Sequence, residues 1–304
     1  MSRTVSWVQQ HRLTTFFALA YLVGWGPWPF AAAGLLPAQV SFFPFGPLVA
    51  AVVVIGLADG RPGYRRLGSR LLRWRVGWVW YVVALGLPVA LVLVTGFVTS
   101  WLGAPAPDFS TIAWSDVLLL LAFRLVDITD GAAGEEPGWR GFALPHLQAR
   151  FSPLATAGLL GVLIAGWHVP LVLLGSLAPV GLPSTVAITF LYVWLVNRTD
   201  GSLLMPLLFH ASQGALTFGM LGFTGADAVR VPVVYFGVLV VAVAVIIGFD
   251  RAAWRSAPAC AVDEEPVPTA QADGRRTGSG TTIPTVDTSP RSSCSDERPS
   301  RGRP

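Results

Sequence analysis

Long apolar segments separated by short polar loops make up most of the chain up to about residue 250. A helix that spans a bilayer needs about 20 largely apolar residues, and eight segments approach that length. They are residues 14–36, 40–58, 78–102, 113–131, 154–175, 180–197, 203–223 and 229–249. The pattern predicts an all-α, polytopic integral membrane protein with about eight transmembrane helices.

The composition fits the same class. Of the 304 residues, 53% are hydrophobic and only 12% are charged, whereas a soluble domain carries roughly 25% charged residues. The net charge of +4 does not indicate a nucleic-acid surface, because most arginines of the apolar part lie in short loops. We therefore expect the lipid bilayer as a partner and no nucleic acid.

The placement of arginine predicts the orientation of the segments. The loop 59–77 is rich in arginine, with Arg61, Arg65, Arg66, Arg70, Arg73 and Arg75. Arginine-rich loops remain in the cytoplasm, and counting spans from this loop places both chain ends on the same side. We expect a multi-pass protein of the cell membrane with a cytoplasmic N-terminus, residues 1–12, a membrane domain, residues 13–250, and a cytoplasmic C-terminus.

The C-terminal segment, residues 251–304, differs sharply in composition. It is rich in Pro, Ser, Thr, Gly, Asp and Arg and has few large apolar residues. Such a segment cannot bury enough surface to offset its ordering entropy, so we expect a disordered tail. Both cysteines, Cys260 and Cys294, lie in it, which keeps them away from any site in the membrane domain.

An acidic pair interrupts the apolar pattern. Glu135 and Glu136 open the run Glu135-Glu136-Pro137-Gly138-Trp139-Arg140-Gly141-Phe142, and no other glutamate precedes the tail. An ionisable residue within the membrane costs roughly 2.5–3.5 kcal/mol on insertion scales, so it usually faces a bundle interior and has a function. In a continuous helix Glu136 and Arg140 are i,i+4 neighbours, and Glu135 points about 100° away. Pro137 suits a first helical turn, so a new helix is expected to begin there.

Two histidines lie in the middle of apolar segments. His168 occurs in Gly166-Trp167-His168-Val169-Pro170 and His210 in Leu208-Phe209-His210-Ala211-Ser212. Histidine is the usual general acid–base residue near neutral pH. Two acids, one arginine and two imidazoles from three helices therefore form a candidate hydrolytic site.

Structural alternatives remain for each of these residues. Glu136 and Arg140 could form a purely structural ion pair that closes a helix end. His168 could form a hydrogen bond with the backbone carbonyl that Pro170 leaves without a donor. Arg124, Asp127 and Asp130 are spaced i, i+3 and i+6, which favours a structural salt-bridge stripe on the fourth span.

These motifs, in this order, resemble those of the CPBP family, the CAAX-protease and bacteriocin-processing group of intramembrane endopeptidases, also called the Abi family. The glutamate run with its Trp139-Arg140-Gly141 ending is the specific motif, followed by Trp167-His168-Val169-Pro170 and His210-Ala211-Ser212. The resemblance covers residues 115–225 most strongly, and it implies a protease-like core there.

The resemblance also implies a role for each residue. Glu135 corresponds to the glutamate that activates the attacking water, and His168 to a histidine that helps to hold that water. Glu136 and Arg140 correspond to the second acid and the arginine that shape the site and position substrate. His210 corresponds to a histidine that helps to stabilise the oxyanion.

Two positions depart from the family pattern. Ile164 stands where the second motif usually has an aromatic residue, which is a change in packing. Gly214 stands four residues after His210, where the third motif usually has Asn or Asp. Loss of one oxyanion donor costs about 2.7–4 kcal/mol of transition-state stabilisation, so this position favours a weak or inactive protein.

The interpretation is an intramembrane endopeptidase of the CAAX-protease type, acting on a peptide or membrane-protein substrate, with or without a lipid group. We expect no cofactor and a metal-independent glutamate mechanism, with no cofactor-binding residues. Zinc remains an alternative, held by Glu135, His168 and His210. Two other functions remain: an inactive membrane scaffold or immunity protein of the same fold, and a proton-coupled transporter that uses the acids as a relay.

Overall fold

A computed structural model describes residues 3–37 and 40–255 of the chain. Fourteen α-helices are found in these ranges, together with one π-helical and several 3₁₀ segments. The helices are α1 (Arg3–Gln10), α2 (Arg12–Trp25), α3 (Trp28–Ala32), α4 (Gly46–Ala58), α5 (Arg61–Leu71), α6 (Trp78–Trp101), α7 (Trp114–Arg124), α8 (Gly131–Gly138), α9 (Leu144–Gln148), α10 (Pro153–Trp167), α11 (Val169–Leu173), α12 (Gly181–Arg198), α13 (Leu204–Ala215) and α14 (Gly225–Phe249). The described ranges contain no β-strand, which confirms the all-helical class.

Two helices of the described residues are long and apolar enough to cross a membrane. They are α6, with 24 residues, and α14, with 25, and they coincide with two of the predicted spans. The other predicted spans are shorter or interrupted helices, so the count of eight spans stays a prediction. The apolar helices nevertheless indicate a membrane protein.

Proline and short turns explain why predicted spans are interrupted. The first predicted span is divided between α2 and α3, where Pro27 and Pro29 follow Gly26. The fourth predicted span, 113–131, contains only the 11 residues of α7, about 16 Å of helix. A turn then separates Arg124 from Gly131, the first residue of α8.

That turn replaces the predicted salt-bridge stripe by two separate contacts. Arg124 does pair with Asp130, at 2.8 Å between Nη1 and Oδ2. The carboxylate of Asp127 instead accepts hydrogen bonds from the backbone N–H and the hydroxyl of Thr129. The stripe is therefore wrong as a helical surface, since the chain has left the helix after Arg124.

The acidic pair lies inside a helix, and the predicted helix start at Pro137 is wrong. Asp130 caps α8 by accepting from the N–H of Ala132, and Pro137 is the seventh residue of the helix that follows. Because proline has no N–H, the usual bond to the carbonyl four residues earlier cannot form. The chain continues directly into a π-helical segment, Trp139–Ala143, which is a geometry often found at functional sites.

Aromatic side chains pack this segment into the centre of the bundle. Trp139 is fully buried and lies edge-on to Phe16 of α2 and to Trp167 of α10, with ring centroids 5.5 Å apart in both pairs. Phe142 also packs against Phe16, with ring centroids 4.9 Å apart. These contacts hold the glutamate motif between α2 and α10.

Glycine lets α8 lie directly against the start of α4. A methyl group on Gly138 would be 2.4 Å from the carbonyl oxygen of Pro47, and one on Gly134 would be 3.0 Å from Cα of Phe45. Both neighbouring atoms belong to the backbone and cannot rotate away. The close approach of α8 to α4 therefore depends on these glycines.

The predicted tail begins in a short ordered segment. Residues Arg251–Trp254 form a 3₁₀ turn in which Ala253 and Trp254 are buried. The rest of the predicted tail, residues 256–304, lies outside the described residues.

We predict that Gly138→Ala destabilises the protein although alanine is the better helix former. The added methyl would force α8 away from the backbone of α4, and overpacking of this kind typically costs about 1–3 kcal/mol of the free energy of unfolding. Chemical denaturation in detergent measures this. Gly237→Ala on α14 is the control, because a methyl there meets open space and gains helix propensity of up to about 1 kcal/mol. Equal stability of the two variants would show that α8 and α4 are not held this closely.

Candidate active site

A fully buried carboxylate, that of Glu136, joins two of the predicted site residues. Its Oε1 accepts from Nη1 of Arg140 at 3.1 Å, one helical turn later, and from Nδ1 of His210 on α13 at 2.7 Å. Arg140 is 3% exposed. The structural ion pair that the sequence left open is therefore present, and the same carboxylate also orients the imidazole.

Tyr192 of α12 completes the surroundings of Arg140. The guanidinium carbon lies 3.9 Å from the centre of the tyrosine ring, which is a favourable cation–π distance. The tyrosine hydroxyl donates to the side-chain oxygen of Gln213 at 2.9 Å, and its ring lies edge-on to His210. Sequence reasoning missed Tyr192, whose only signal was a tyrosine within an apolar helix.

Glu135 points away from the ion pair and into a different environment. Its Oε2 accepts from the indole N–H of Trp139 at 3.2 Å, while Oε1 makes no hydrogen bond with any described residue. A methyl group on Gly131 would lie 2.9 Å from that Oε1 and 2.8 Å from Nε2 of His210. Both atoms therefore border the same small space beside the first residue of α8.

The contact with Glu136 determines the chemistry of His210. An imidazole nitrogen that faces a carboxylate acts as a donor, so Nδ1 carries the proton. Nε2 is then an acceptor in the neutral ring and a donor in the protonated ring. The nitrogen that borders the space next to Glu135 is the one that can exchange a proton.

His168 lies at the C-terminal end of α10, separate from the hydrogen-bonded group. Its Nδ1 bonds the carbonyl oxygen of Ile164 at 2.9 Å. This is a structural bond, but not to the carbonyl that Pro170 leaves free, which belongs to Gly166. The bond also leaves Nε2 as the acceptor in the neutral ring. His168 is near enough to interact electrostatically with Glu135. Its ring stacks on that of Phe42, with ring centroids 6.1 Å apart.

The structure thus brings Glu136, Arg140 and His210 into direct contact and places Glu135 beside them. His168 approaches the same region without a hydrogen bond to the group. In residues 3–37 and 40–255, no three His, Cys, Asp or Glu side chains are arranged to hold a metal ion. The metal-independent mechanism and the alternative zinc set of Glu135, His168 and His210 both stay predictions.

Arg70 is a second residue whose role the sequence did not reveal. It counts among the loop arginines that predict topology, yet its side chain is buried. Its guanidinium donates to three backbone carbonyls, those of Arg140 at 3.0 Å, Gly141 at 2.8 Å and Gly201 at 2.9 Å. Burial lowers the pKa of Arg70 to about 10, so it is charged at neutral pH. Arg70 ties the π-helical segment to the turn before α13.

Comparison with known families agrees with the motif assignment. Residues 113–216 match the family model described as type II CAAX prenyl endopeptidase Rce1-like. The match contains the turn after α7, the glutamate motif, His168 and His210, and it confirms the resemblance found from the motifs. No curated protein matches the chain.

We predict stability effects of very different size for the two adjacent glutamates. Glu136→Gln leaves the buried Arg140 without its carboxylate, and breaking a buried pair typically costs about 3–5 kcal/mol. Glu135→Gln keeps an oxygen for the Trp139 bond, so its free energy of unfolding is expected to change by less than about 1 kcal/mol. Denaturation of both variants in one detergent measures the difference. Similar losses for the two variants would contradict this division of roles.

We predict that Arg70 is needed for stability, unlike the other arginines of its loop. Arg70→Met leaves three buried carbonyls without a donor, and an unsatisfied buried polar group costs about 1–3 kcal/mol. The expected loss is on the order of 3 kcal/mol or more. Arg65→Met is the matched control, since Arg65 is exposed on the same helix. Thermal unfolding of the purified variants would refute the role of Arg70 if both behave like the unmodified protein.

Proposed function

Given the family match over residues 113–216, we propose that this protein is an intramembrane endopeptidase that hydrolyses a peptide bond near the membrane by glutamate-activated water. The observation that carries the proposal is the position of Glu135. Its Oε1 accepts no hydrogen bond from a described residue and borders the same space as Nε2 of His210. The other ring nitrogen of His210 bonds Glu136, which is itself paired with Arg140. The substrate class is a peptide or membrane protein, with or without a lipid group.

Only one of the two acids is available as a base. Oε1 of Glu136 already accepts two charge-assisted hydrogen bonds, and its Oε2 is buried without a partner in the described part of the chain. A base must lie within hydrogen-bond reach of the water that it deprotonates. Oε1 of Glu135 meets this condition because it borders the space beside Gly131, whereas Oε2 of Glu136 is fully buried. Glu135 is therefore the proposed base and Glu136 the residue that orients His210.

The proposed reaction conserves protons and charge. Glu135 takes one proton from water, and the resulting hydroxide forms a bond with the carbonyl carbon of the substrate. His210 is protonated at both ring nitrogens in this step and donates from Nε2 toward the developing oxyanion. Its Nδ1–H stays bonded to Glu136, which is paired with Arg140 and so fixes the imidazole. The C–N bond then breaks, and the proton held by Glu135 passes to the leaving amine. His168 helps to hold the water through its unprotonated Nε2.

An inactive scaffold of the same fold is the second candidate. The observation that favours it is Gly214, which offers no side chain one turn after His210. In this alternative the buried ion pair has only a structural role. Peptidase activity decides between the two functions, since a scaffold has none.

We predict that Glu135→Gln lowers kcat for cleavage of a quenched fluorescent lipidated peptide by at least about 10²-fold, the usual contribution of a general base. KM should change little, because the amide keeps the shape of the side chain. Asp116→Asn is the control, since Asp116 is an exposed acid at the start of α7. Detergent-purified proteins are compared at equal folded concentration.

The same assay with a strong chelator tests the mechanism. Activity that persists in chelator and disappears in Glu135→Gln supports a glutamate protease without metal. Activity that chelator removes and Zn²⁺ restores would replace this mechanism with a metalloprotease. Full activity of Glu135→Gln would contradict both, and a lack of cleavage by the unmodified protein would favour the scaffold.

A further inference from the structure

Arg124 and Gly214 contact each other although the sequence gives no reason to pair them. Arg124 is the last residue of α7 and Gly214 lies near the end of α13. A methyl group on Gly214 would be 2.1 Å from Cζ of Arg124, 2.3 Å from Nη2 and 2.5 Å from Nε. The flat guanidinium therefore rests directly on the backbone of α13, in the space that any side chain at position 214 would fill.

The same guanidinium holds the start of α8. Its Nη1 donates to Oδ2 of Asp130 at 2.8 Å, and the two side chains are only 17% and 21% exposed. Asp130 is the N-cap of α8, and the next residue is Gly131, which borders both Oε1 of Glu135 and Nε2 of His210. Whatever moves Asp130 therefore moves the backbone against which the two reacting groups are placed.

Helices α8 and α13 are thus joined at two levels. The first is the bond between Glu136 and His210, and the second is the bridge from Asp130 through Arg124 to Gly214. His210 and Gly214 are four residues apart, about 6 Å along α13, while Asp130 and Glu136 are about 9 Å apart along α8. Two contacts at different heights restrain the angle between the helices, which a single contact cannot do.

We propose that Arg124 is a positioning residue that sets the separation between Glu135 and His210, and that position 214 is glycine because the guanidinium lies there. The proposal rests on the proposed function and assigns Arg124 no contact with substrate. An alanine at position 214 would displace only the end of a flexible side chain, but that movement breaks the bond with Asp130. We therefore expect Gly214→Ala to change the geometry of the site more than it changes the packing of α13.

The test is a double-mutant cycle with Gly214→Ala, Arg124→Ala and the combined variant. Each single substitution should lower kcat, per folded protein, by about 10- to 100-fold, the size of effect that a displacement of about 1 Å produces, while KM changes less than about twofold. Adding Gly214→Ala to Arg124→Ala should cost nothing further, because the group that the methyl displaces is already gone. Gly86→Ala on α6, where a methyl meets open space, should leave kcat unchanged.

A second measurement does not require activity. The nitrogen-15 spectrum of histidine-labelled protein reports the hydrogen bond from Nδ1 of His210 to Glu136, with the signal assigned by its loss in His210→Gln. Both single variants should shift this signal, and the combined variant should resemble Arg124→Ala. A purely structural role would change the unfolding midpoint without changing the spectrum of the folded protein.

The outcomes separate this proposal from the proposed function. If the unmodified protein cleaves peptide and Gly214→Ala matches it in kcat and in the His210 signal, Arg124 is not a positioning residue and the peptidase stands. An equal cost of Gly214→Ala with and without Arg124 would also overturn the proposal. If no protein cleaves peptide but the His210 signal shifts as expected, the positioning holds and the peptidase fails.

Discussion

The arrangement of the site depends on one fully buried carboxylate, that of Glu136. A buried charge is tolerated only when it is paired and hydrogen-bonded, and here the partners come from the same helix and from α13. Arg140 supplies the compensating charge and His210 a directed hydrogen bond. The requirement to satisfy Glu136 brings the first and third motifs together, although more than 60 residues separate them in the chain.

The adjacent Glu135 shows how consecutive residues acquire different chemistry. Neighbours in a helix point about 100° apart, so Glu136 faces the ion pair while Glu135 faces Trp139 and the space beside Gly131. One oxygen of Glu136 accepts two hydrogen bonds and the other is fully buried, whereas Oε1 of Glu135 borders the space beside Gly131. The two adjacent carboxylates therefore offer different chemistry within one site.

Close backbone contacts and buried cations hold this geometry in place. Glycines allow α8 to reach the backbone of α4, and the aromatic cluster around Trp139 fills the opposite side. Arg70 holds the π-helical segment through its carbonyls, and Arg124 holds the start of α8 through Asp130. Arg70 uses three donors of its planar guanidinium to join two segments. Arg124 joins α8 and α13 differently, through one hydrogen bond to Asp130 and through packing of its guanidinium against Gly214.

The sequence by itself determined the class of the protein and the identity of its chemical groups. Apolar segments broken by arginine loops predict a helical membrane protein, and glutamates and histidines in apolar surroundings predict a site, because such residues are costly unless they are used. Local spacing also predicted the Glu136–Arg140 pair correctly. Only the tertiary structure decided that Arg70 is buried, that Arg124 rests on Gly214 and that His210 bonds Glu136. These contacts join distant segments and depend on helix ends and turns, such as the break after Arg124. Hydrophobic periodicity does not record that break, because Leu125, Val126 and Ile128 continue the apolar pattern although Val126 and Ile128 are exposed in the turn.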